Sequence, residues 1–166
     1  MAKNVELKVK IEDFSHVLNI LKDKKVELKQ VLNQRDIYYK HPLGLLKLRI
    51  FDDKGELIFY QRDESTKDRV SDYYILNVEP KHAEDYFRHI FEVETEVVKI
   101  RKLYIYKNTR IHLDEVNNLG KFLELETVVK NNIEECKKEF NEVTKLLHLD
   151  ISNQIKSSYR TLMLNK

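Results

Sequence analysis

The sequence predicts an α+β domain in which eight antiparallel strands close into a barrel and the helices pack on its outside. Three features of the chain lead to this prediction. Most segments alternate polar and apolar residues with a period of two, which is typical of strands. Consecutive strand segments are joined by short turns, which favours an antiparallel sheet, and eight strands are enough to close one. No linker, repeat or low-complexity stretch interrupts residues 1–166, so we expect a single domain over that range.

The first half of the chain is expected to form one strand, one helix and then three strands. Residues 3–11 alternate polar and aliphatic side chains. Residues 13–24 carry an apolar stripe with helical spacing, and Asp13 is the expected N-cap. A hairpin is expected at residues 52–55, with Gly55 supplying the positive φ. The three strands that follow the helix are expected at residues 26–39, 45–51 and 57–62.

The second half is expected to continue the sheet and to add three helices. Pro80 is suited to the first turn of a helix, because its fixed φ and missing N–H are tolerated there. The expected strands are residues 69–78, 97–106, 109–116 and 120–129, and the expected helices are residues 80–91, 132–147 and 155–164.

The composition excludes several classes of protein. Lys and Arg number 30 and Asp and Glu 28, a balance that argues against a nucleic-acid binder with a basic face. No apolar run approaches the ~20 residues that cross a bilayer, and residues 1–10 lack the apolar core of a signal peptide. We therefore expect a cytoplasmic protein that binds neither nucleic acid nor membrane. Cys136 cannot form an internal disulfide, and its charged neighbours predict a place on a helix surface.

Charged residues share one face of several predicted strands and segregate by sign along the chain. Alternation alone is equally compatible with an ordinary two-faced sheet whose polar side lies in water. The segregation by sign instead favours one ligand that combines a polyanion with a divalent metal ion, because phosphates need several cationic donors and the ion needs hard oxygens. The basic group is Lys47, Arg49, Lys99, Arg101 and Arg110, and the acidic group is Glu6, Glu124 and Glu126.

Four short motifs resemble those of the CYTH superfamily of triphosphate tunnel enzymes. They occur in the expected order over nearly the whole chain: Asn4–Lys8 (NVELK), Leu46–Arg49 (LKLR), Arg110–Glu115 (RIHLDE) and Gly120–Glu126 (GKFLELE). The superfamily includes class IV adenylyl cyclases, thiamine triphosphatases and tripolyphosphatases. The resemblance implies a closed tunnel of eight strands with a hydrophilic interior, a triphosphate-containing small molecule as substrate, and Mg²⁺ or Mn²⁺ as cofactor.

The resemblance also implies roles for individual residues. The implied metal ligands are Glu6, Glu124 and Glu126, with Asp114 as a weaker candidate, and the implied catalytic residues are Glu6, Lys8 and Arg62. The implied triphosphate-binding residues are Lys8, Lys47, Arg49, Arg62, Lys99, Arg101 and Arg110. For His112, a structural hydrogen bond and a phosphate contact are both compatible with the pattern. Arg69 and Tyr73 are expected to line the tunnel, and residues 157–159 to plug it or pack against it.

Two positions depart from the family pattern. Asn4 stands where relatives carry a first acidic residue, which predicts a weaker metal site or the loss of one of two ions. Arg62 stands near the place of a fourth-strand lysine that assists proton transfer in relatives. Arginine stays protonated and is a poor base, so the general base of any hydrolysis is unassigned.

Three functions are compatible with these residues. The first is a metal-dependent triphosphatase that hydrolyses the terminal phosphoanhydride of a nucleotide, thiamine or inorganic triphosphate. The second is an adenylyl cyclase that converts ATP to cyclic AMP and pyrophosphate, and the third is a non-catalytic binder of polyphosphate or nucleotide. We expect a monomer or a homodimer.

Overall fold

The computed structural model describes residues 4–61, 72–130 and 132–166, which form one antiparallel sheet and the helices around it. The strands are β1 (Asn4–Ile11), β2 (Leu28–Tyr39), β3 (Leu45–Phe51), β4 (Lys54–Gln61), β5 (Asp72–Val78), β6 (Val93–Tyr106), β7 (Thr109–Val116) and β8 (Gly120–Val128). The helices are α1 (Ser15–Asp23), α2 (Pro80–Ile90), α3 (Ile133–Leu146) and α4 (Tyr159–Leu164), and a 3₁₀ turn spans Ile151–Asn153. No helix in these ranges has the length and apolar character that a membrane span requires.

The eight strands are ordered β1-β8-β7-β6-β2-β3-β4-β5, with every neighbouring pair antiparallel. The predicted α+β class and the eight-stranded antiparallel sheet are therefore confirmed. The predicted closure into a barrel is not, because β1 and β5 are the two edges of the described sheet. The chain near the C-terminus explains part of this difference. The N–H of Ile155 donates to the carbonyl of Lys8 at 2.8 Å, and Gln154 bridges to Val9, so this segment occupies β1's outer edge.

The apolar core lies between the outer face of the sheet and the helices. Aliphatic residues of β1, β7 and β8, such as Leu7, Leu113 and Leu125, pack against α1 and α3. A second cluster joins β2 and β3 to α2, with Ile37 and Leu48 fully buried. Because alternate residues of a strand point to opposite faces, these contacts leave the charged residues on the concave inner face.

Several element ends differ from the sequence-based prediction for local reasons. At the β3–β4 turn Asp52 adopts the positive φ of 51°, whereas Gly55 lies within β4. A Cβ atom at Gly55 would lie 2.8 Å from the carbonyl oxygen of Val78, so glycine is needed there for the close approach of β5. Helix α1 has Phe14 at its N-cap position, one residue later than expected, but the side chain that binds the first turn is still that of Asp13, whose Oδ1 accepts from the N–H of Ser15 at 2.7 Å. Helix α4 begins only at Tyr159.

Cys136 also differs from its predicted place on a helix surface. It is 5 % exposed and belongs to the core between α3 and the sheet, where its thiol donates to the carbonyl of Thr127. The predicted strand ends at Arg62 and Arg69 lie outside the described residues.

Candidate functional site

A cavity of about 280 Å³ occupies the concave face of the sheet. This volume is near the lower end of the range of ~300–1,000 Å³ for small-molecule sites, which favours a compact ligand. Both sheet edges contribute to its wall, β1 through Lys8 and β5 through Ile75. The sequence-predicted residues that line it are Glu6, Lys8, Lys47, Arg49, Lys99, Arg101, Arg110, Glu124 and Glu126. Arg62 lies outside the described residues.

The strand registers bring these side chains together. On β8, Glu124 lies opposite Lys8 of β1 and opposite His112 of β7. Two residues further along β8, Glu126 lies opposite Glu6 of β1. Since directly opposed side chains on one face are about 4.5–5.5 Å apart at Cβ, the acidic groups of β1 and β8 become neighbours of each other and of His112 on β7.

Asp36 of β2 organises the basic side of the cavity, and sequence analysis did not identify it. Its carboxylate accepts from Lys47 Nζ at 3.0 Å and from Nε and Nη2 of Arg49 at 2.8 and 2.9 Å. Lys99 Nζ is 3.9 Å away. Burial opposes ionisation of Asp36, but the charges of Arg49, Lys47 and Lys99 outweigh it and hold its pKa well below 3.8. One buried carboxylate thus fixes three of the predicted phosphate ligands.

Two of the buried lysines are weakly basic. Burial, followed by repulsion from Arg49, lowers the pKa of Lys47 to about 7. Burial and the charge of Arg101 lower the pKa of Lys99 to about 8. Both side chains are therefore poised to lose or gain a proton near neutral pH, and an anion in the cavity would favour the protonated form.

Asp114 plays the corresponding part for Arg101. Its side chain is fully buried and accepts from Arg101 Nε at 2.6 Å and from the hydroxyl of Tyr159 at 2.9 Å. Arg101 also binds Glu124, which forms an ion pair with Lys8 at 3.2 Å. Burial opposes the ionisation of Glu124, but the charges of Lys8 and Arg101 outweigh this effect and hold the pKa of Glu124 well below 4.5.

Residues 157–159 pack against one end of the cavity, as expected from the sequence. Lys8 Nζ donates to the carbonyl of Ser157 at 3.0 Å and lies 4.1 Å from the centre of the Tyr159 ring. Lys99 Nζ lies 4.9 Å from the same ring. An ion pair between Arg160 and Glu94 ties this segment to β6. Tyr159 is therefore part of the cavity wall.

An acidic group with one histidine lies at the β7–β8 side of the cavity. Ligand atoms of His112, Glu124 and Glu126 all lie within 4.8 Å of one another. Burial, with the charge of Arg101, lowers the pKa of His112 to about 4, so its imidazole is neutral near pH 7. Carboxylate oxygens with a neutral imidazole nitrogen form a donor set that can hold a divalent cation.

Asn4 lines the same cavity at the start of β1. It is 3 % exposed, and no hydrogen-bond partner for its Oδ1 is found among the described residues. A buried amide oxygen without a partner, on a residue that lines the cavity, could accept from or bind a ligand held there.

Comparison with known proteins identifies the family. The sequence model of the CYTH domain matches residues 2–159. The chain belongs to the CYTH family. A Methanocaldococcus jannaschii protein named as a candidate adenylate cyclase is 28 % identical over 172 residues, covering 95 % of this chain and 97 % of that protein.

Solved structures share the fold of this CYTH chain. A Pyrococcus horikoshii protein superimposes with a TM-score of 0.85 at 24 % identity, covering 96 % of this chain and 98 % of its own. A Hippeastrum protein superimposes with a TM-score of 0.74 at 13 % identity, covering 100 % and 97 %. Its description as a candidate adenylyl cyclase states that triphosphatase activity is dominant. At these identities the structures establish a common fold.

Replacing Asp36 should strongly destabilise this CYTH domain. In Asp36→Asn the cations of Lys47, Arg49 and Lys99 lose their buried counter-charge, so we expect the free energy of unfolding to fall by about 3–5 kcal/mol. Urea denaturation at pH 7 measures the change. Asp53→Asn, at an exposed turn, is the matched control. A loss for Asp36→Asn no larger than that of the control would contradict the assigned role.

The stability of the domain should rise with pH above neutrality. The folded pKa of Lys47 is about 7, below its ordinary 10.5, so the unfolded chain binds more protons between these values and rising pH favours folding. The contribution is at most ~1.4 kcal/mol per pH unit. Urea denaturation from pH 7 to 9 should show a shallower rise for Lys47→Met than for the wild type. The exposed control Lys54→Met should follow the wild type; equal slopes in all three would refute the argument.

Proposed function

We propose that this CYTH domain is a metal-dependent triphosphatase that binds a triphosphate in the charged cavity and hydrolyses its terminal phosphoanhydride. One observation carries the proposal: a single cavity contains both a set of cationic side chains and a group of carboxylates. The cations suit a polyanion and the carboxylates suit a divalent ion. A triphosphate with a bound metal ion requires both.

The phosphate-binding groups are held in place before a ligand arrives. Arg49 is gripped through two nitrogens by Asp36, and Arg101 by Asp114. These guanidinium planes cannot swing freely, so less entropy is lost when they donate to phosphate oxygens. The remaining proposed phosphate ligands are Lys8, Lys47, Lys99 and Arg110 among the described residues, and Arg62.

The carboxylates of Glu6, Glu124 and Glu126 would hold Mg²⁺ or Mn²⁺. The unpartnered oxygen of Asn4 and nitrogen of His112 beside them fit this assignment, since a cation would satisfy such buried atoms. Asp114 fits it less well, because Arg101 and Tyr159 already bind its fully buried oxygens. Glu124 is paired with Lys8 and Arg101, so it would have to exchange one of these ion pairs for the metal ion. When bound, the metal polarises the reacting phosphoryl group and stabilises charge on the leaving oxygen.

The protein's own cations have a related task. Lys8 and Arg101 both form ion pairs with Glu124, which places their charges beside the proposed metal ligands. There they would neutralise charge that develops between the transferred phosphoryl group and the leaving phosphate. Lys8 and Glu6 thus serve the reacting end, while Lys47 and Arg49 would hold the remote phosphates.

A class IV-type adenylyl cyclase is the second candidate. Part of the cavity wall is apolar or aromatic, formed by Ile58, Tyr60 and Ile75 of β4 and β5. Such a wall suits an organic group attached to the triphosphate, which ATP has and inorganic tripolyphosphate lacks. The name of the Methanocaldococcus jannaschii relative points in the same direction.

Product analysis distinguishes these functions. The purified protein is incubated with ATP, thiamine triphosphate and tripolyphosphate, each with Mg²⁺ and with Mn²⁺. Release of phosphate supports the triphosphatase, and release of cyclic AMP with pyrophosphate supports the cyclase. Tight binding without turnover of any substrate would replace both proposals with a non-catalytic binder.

Removing either β8 carboxylate charge should abolish most metal-dependent activity. Glu124→Gln and Glu126→Gln each keep the side-chain shape but remove one negative charge from the proposed ion site. We expect turnover to fall by at least ~100-fold, the effect of about 2.7 kcal/mol in transition-state stabilisation. Glu115→Gln, exposed on β7, is the control and should retain activity. Normal turnover in both β8 variants would place the metal elsewhere.

Restoring an acidic residue at position 4 should strengthen metal binding. Asn4→Glu adds a charge to the cavity, and we expect apparent affinity for Mg²⁺ and Mn²⁺ to rise by up to ~10-fold, equivalent to about 1.4 kcal/mol. Asn4→Gln matches the added size without the charge and should show no gain. Titration of activity against metal compares the three proteins. An unchanged metal dependence in folded Asn4→Glu would exclude this position from the site.

A further inference from the structure

The imidazole of His112 has a buried nitrogen with no hydrogen-bond partner among the described residues. His112 is 4 % exposed, and the unpartnered atom is Nδ1. Leaving a buried polar atom unsatisfied costs about 1–3 kcal/mol, so each case in a folded protein calls for a physical reason. The metal ligands named above are carboxylates, and this nitrogen has no assigned bond among them.

The surroundings of Nδ1 indicate what would satisfy it. The atom lies 3.6 Å from Oε1 of Glu126, beyond hydrogen-bond distance, and His112 is opposite Glu124 in the register. Two ligands held about 2.1 Å from one ion are themselves about 3.0–4.2 Å apart. The separation of Nδ1 and Oε1 therefore suits two atoms that share an ion better than two that share a proton.

We propose that His112 Nδ1 is a metal ligand alongside Glu124 and Glu126, and that it makes the site select Mn²⁺ over Mg²⁺. The inference rests on the metal dependence of the proposed function, which leaves the choice of ion open. Mg²⁺ prefers oxygen ligands and retains its waters, whereas first-row transition ions accept nitrogen. A site built from carboxylates alone would lack this preference.

Metal binding measured without turnover tests the assignment. Pulsed EPR of Mn²⁺ added alone to the full chain should show coupling to a ligand ¹⁴N in the wild type and not in His112→Gln. The chain has six histidines, and the ring of the exposed His16 lies beside that of His148, with ring centres 5.3 Å apart and the planes tilted by 36°. This pair is a competing place for an ion. The control His16→Gln should therefore keep the coupling.

Calorimetry provides the second readout. Loss of a residue that only hydrogen-bonds to a metal ligand already lowers metal affinity by ~10-fold or more. Loss of a ligand itself should cost at least as much, so Mn²⁺ affinity should fall by ~10-fold or more in His112→Gln. Mg²⁺ affinity should fall less, which lowers the Mn²⁺/Mg²⁺ affinity ratio. His16→Gln should keep the wild-type ratio.

The outcomes separate this inference from the proposed function. Bound Mn²⁺ without nitrogen coupling in the wild type would overturn the role of His112, even if His112→Gln failed to fold, and would leave the triphosphatase proposal standing. Nitrogen-coupled Mn²⁺ in a protein that turns over no triphosphate would support the ligand and overturn the triphosphatase. Absence of Mn²⁺ binding, alone or with a non-hydrolysable imidotriphosphate, would overturn both.

Discussion

The structure depends on compensation of like charges that are crowded onto one buried face. Lys47, Arg49 and Lys99 meet at Asp36, and Arg101 meets Asp114, both carboxylates being almost completely buried. Repulsion between cations is strong where water is scarce, so these two anions stabilise a sheet whose inner face carries the cations. The same contacts orient each guanidinium. Thus the ion pairs that stabilise the fold also orient the cations of the proposed phosphate site.

This arrangement reverses the usual places of core and surface. The apolar faces of the strands turn outwards to α1, α2 and α3, and the cavity receives the charged faces. The chain near the C-terminus then packs against one end, through Tyr159, while residues 154–155 bind the outer edge of β1. Edge strands need such cover, because their exposed N–H and C=O groups otherwise invite pairing. Among the described residues, residues 154–155 cover the outer edge of β1, and no ladder joins β1 to β5.

Local patterns were enough to predict the sheet and much of the cavity, because strand parity determines which side chains share a face. That Lys47 and Arg49 share a face, and likewise Glu124 and Glu126, follows from their spacing of two along a strand, without knowing their partners. Asp36 was missed because it is a single acidic residue beside Gln34 and Arg35. Its role depends on ion pairs with cations on two other strands, which local spacing does not reveal. Closure of the sheet is not confirmed among the described residues, and local patterns could not decide it, since edge pairing depends on residues that are distant in the sequence. The metal-ligand roles remain predictions.

The depressed basicity of the lysines connects the folding constraint to the proposed chemistry. With pKa values of about 7 and about 8, Lys47 and Lys99 are partly deprotonated near neutral pH. The smaller positive charge lowers repulsion in the ligand-free cavity. A triphosphate bound as proposed would stabilise the charged forms, so its binding would draw protons into the cavity and weaken as pH rises above these values. Asp36 contributes to this exchange, because its carboxylate lies 3.0 Å from Lys47 Nζ and 3.9 Å from Lys99 Nζ in the ligand-free cavity. Lysines that stayed fully charged would bind the polyanion more tightly, but their repulsion would cost the ligand-free fold more.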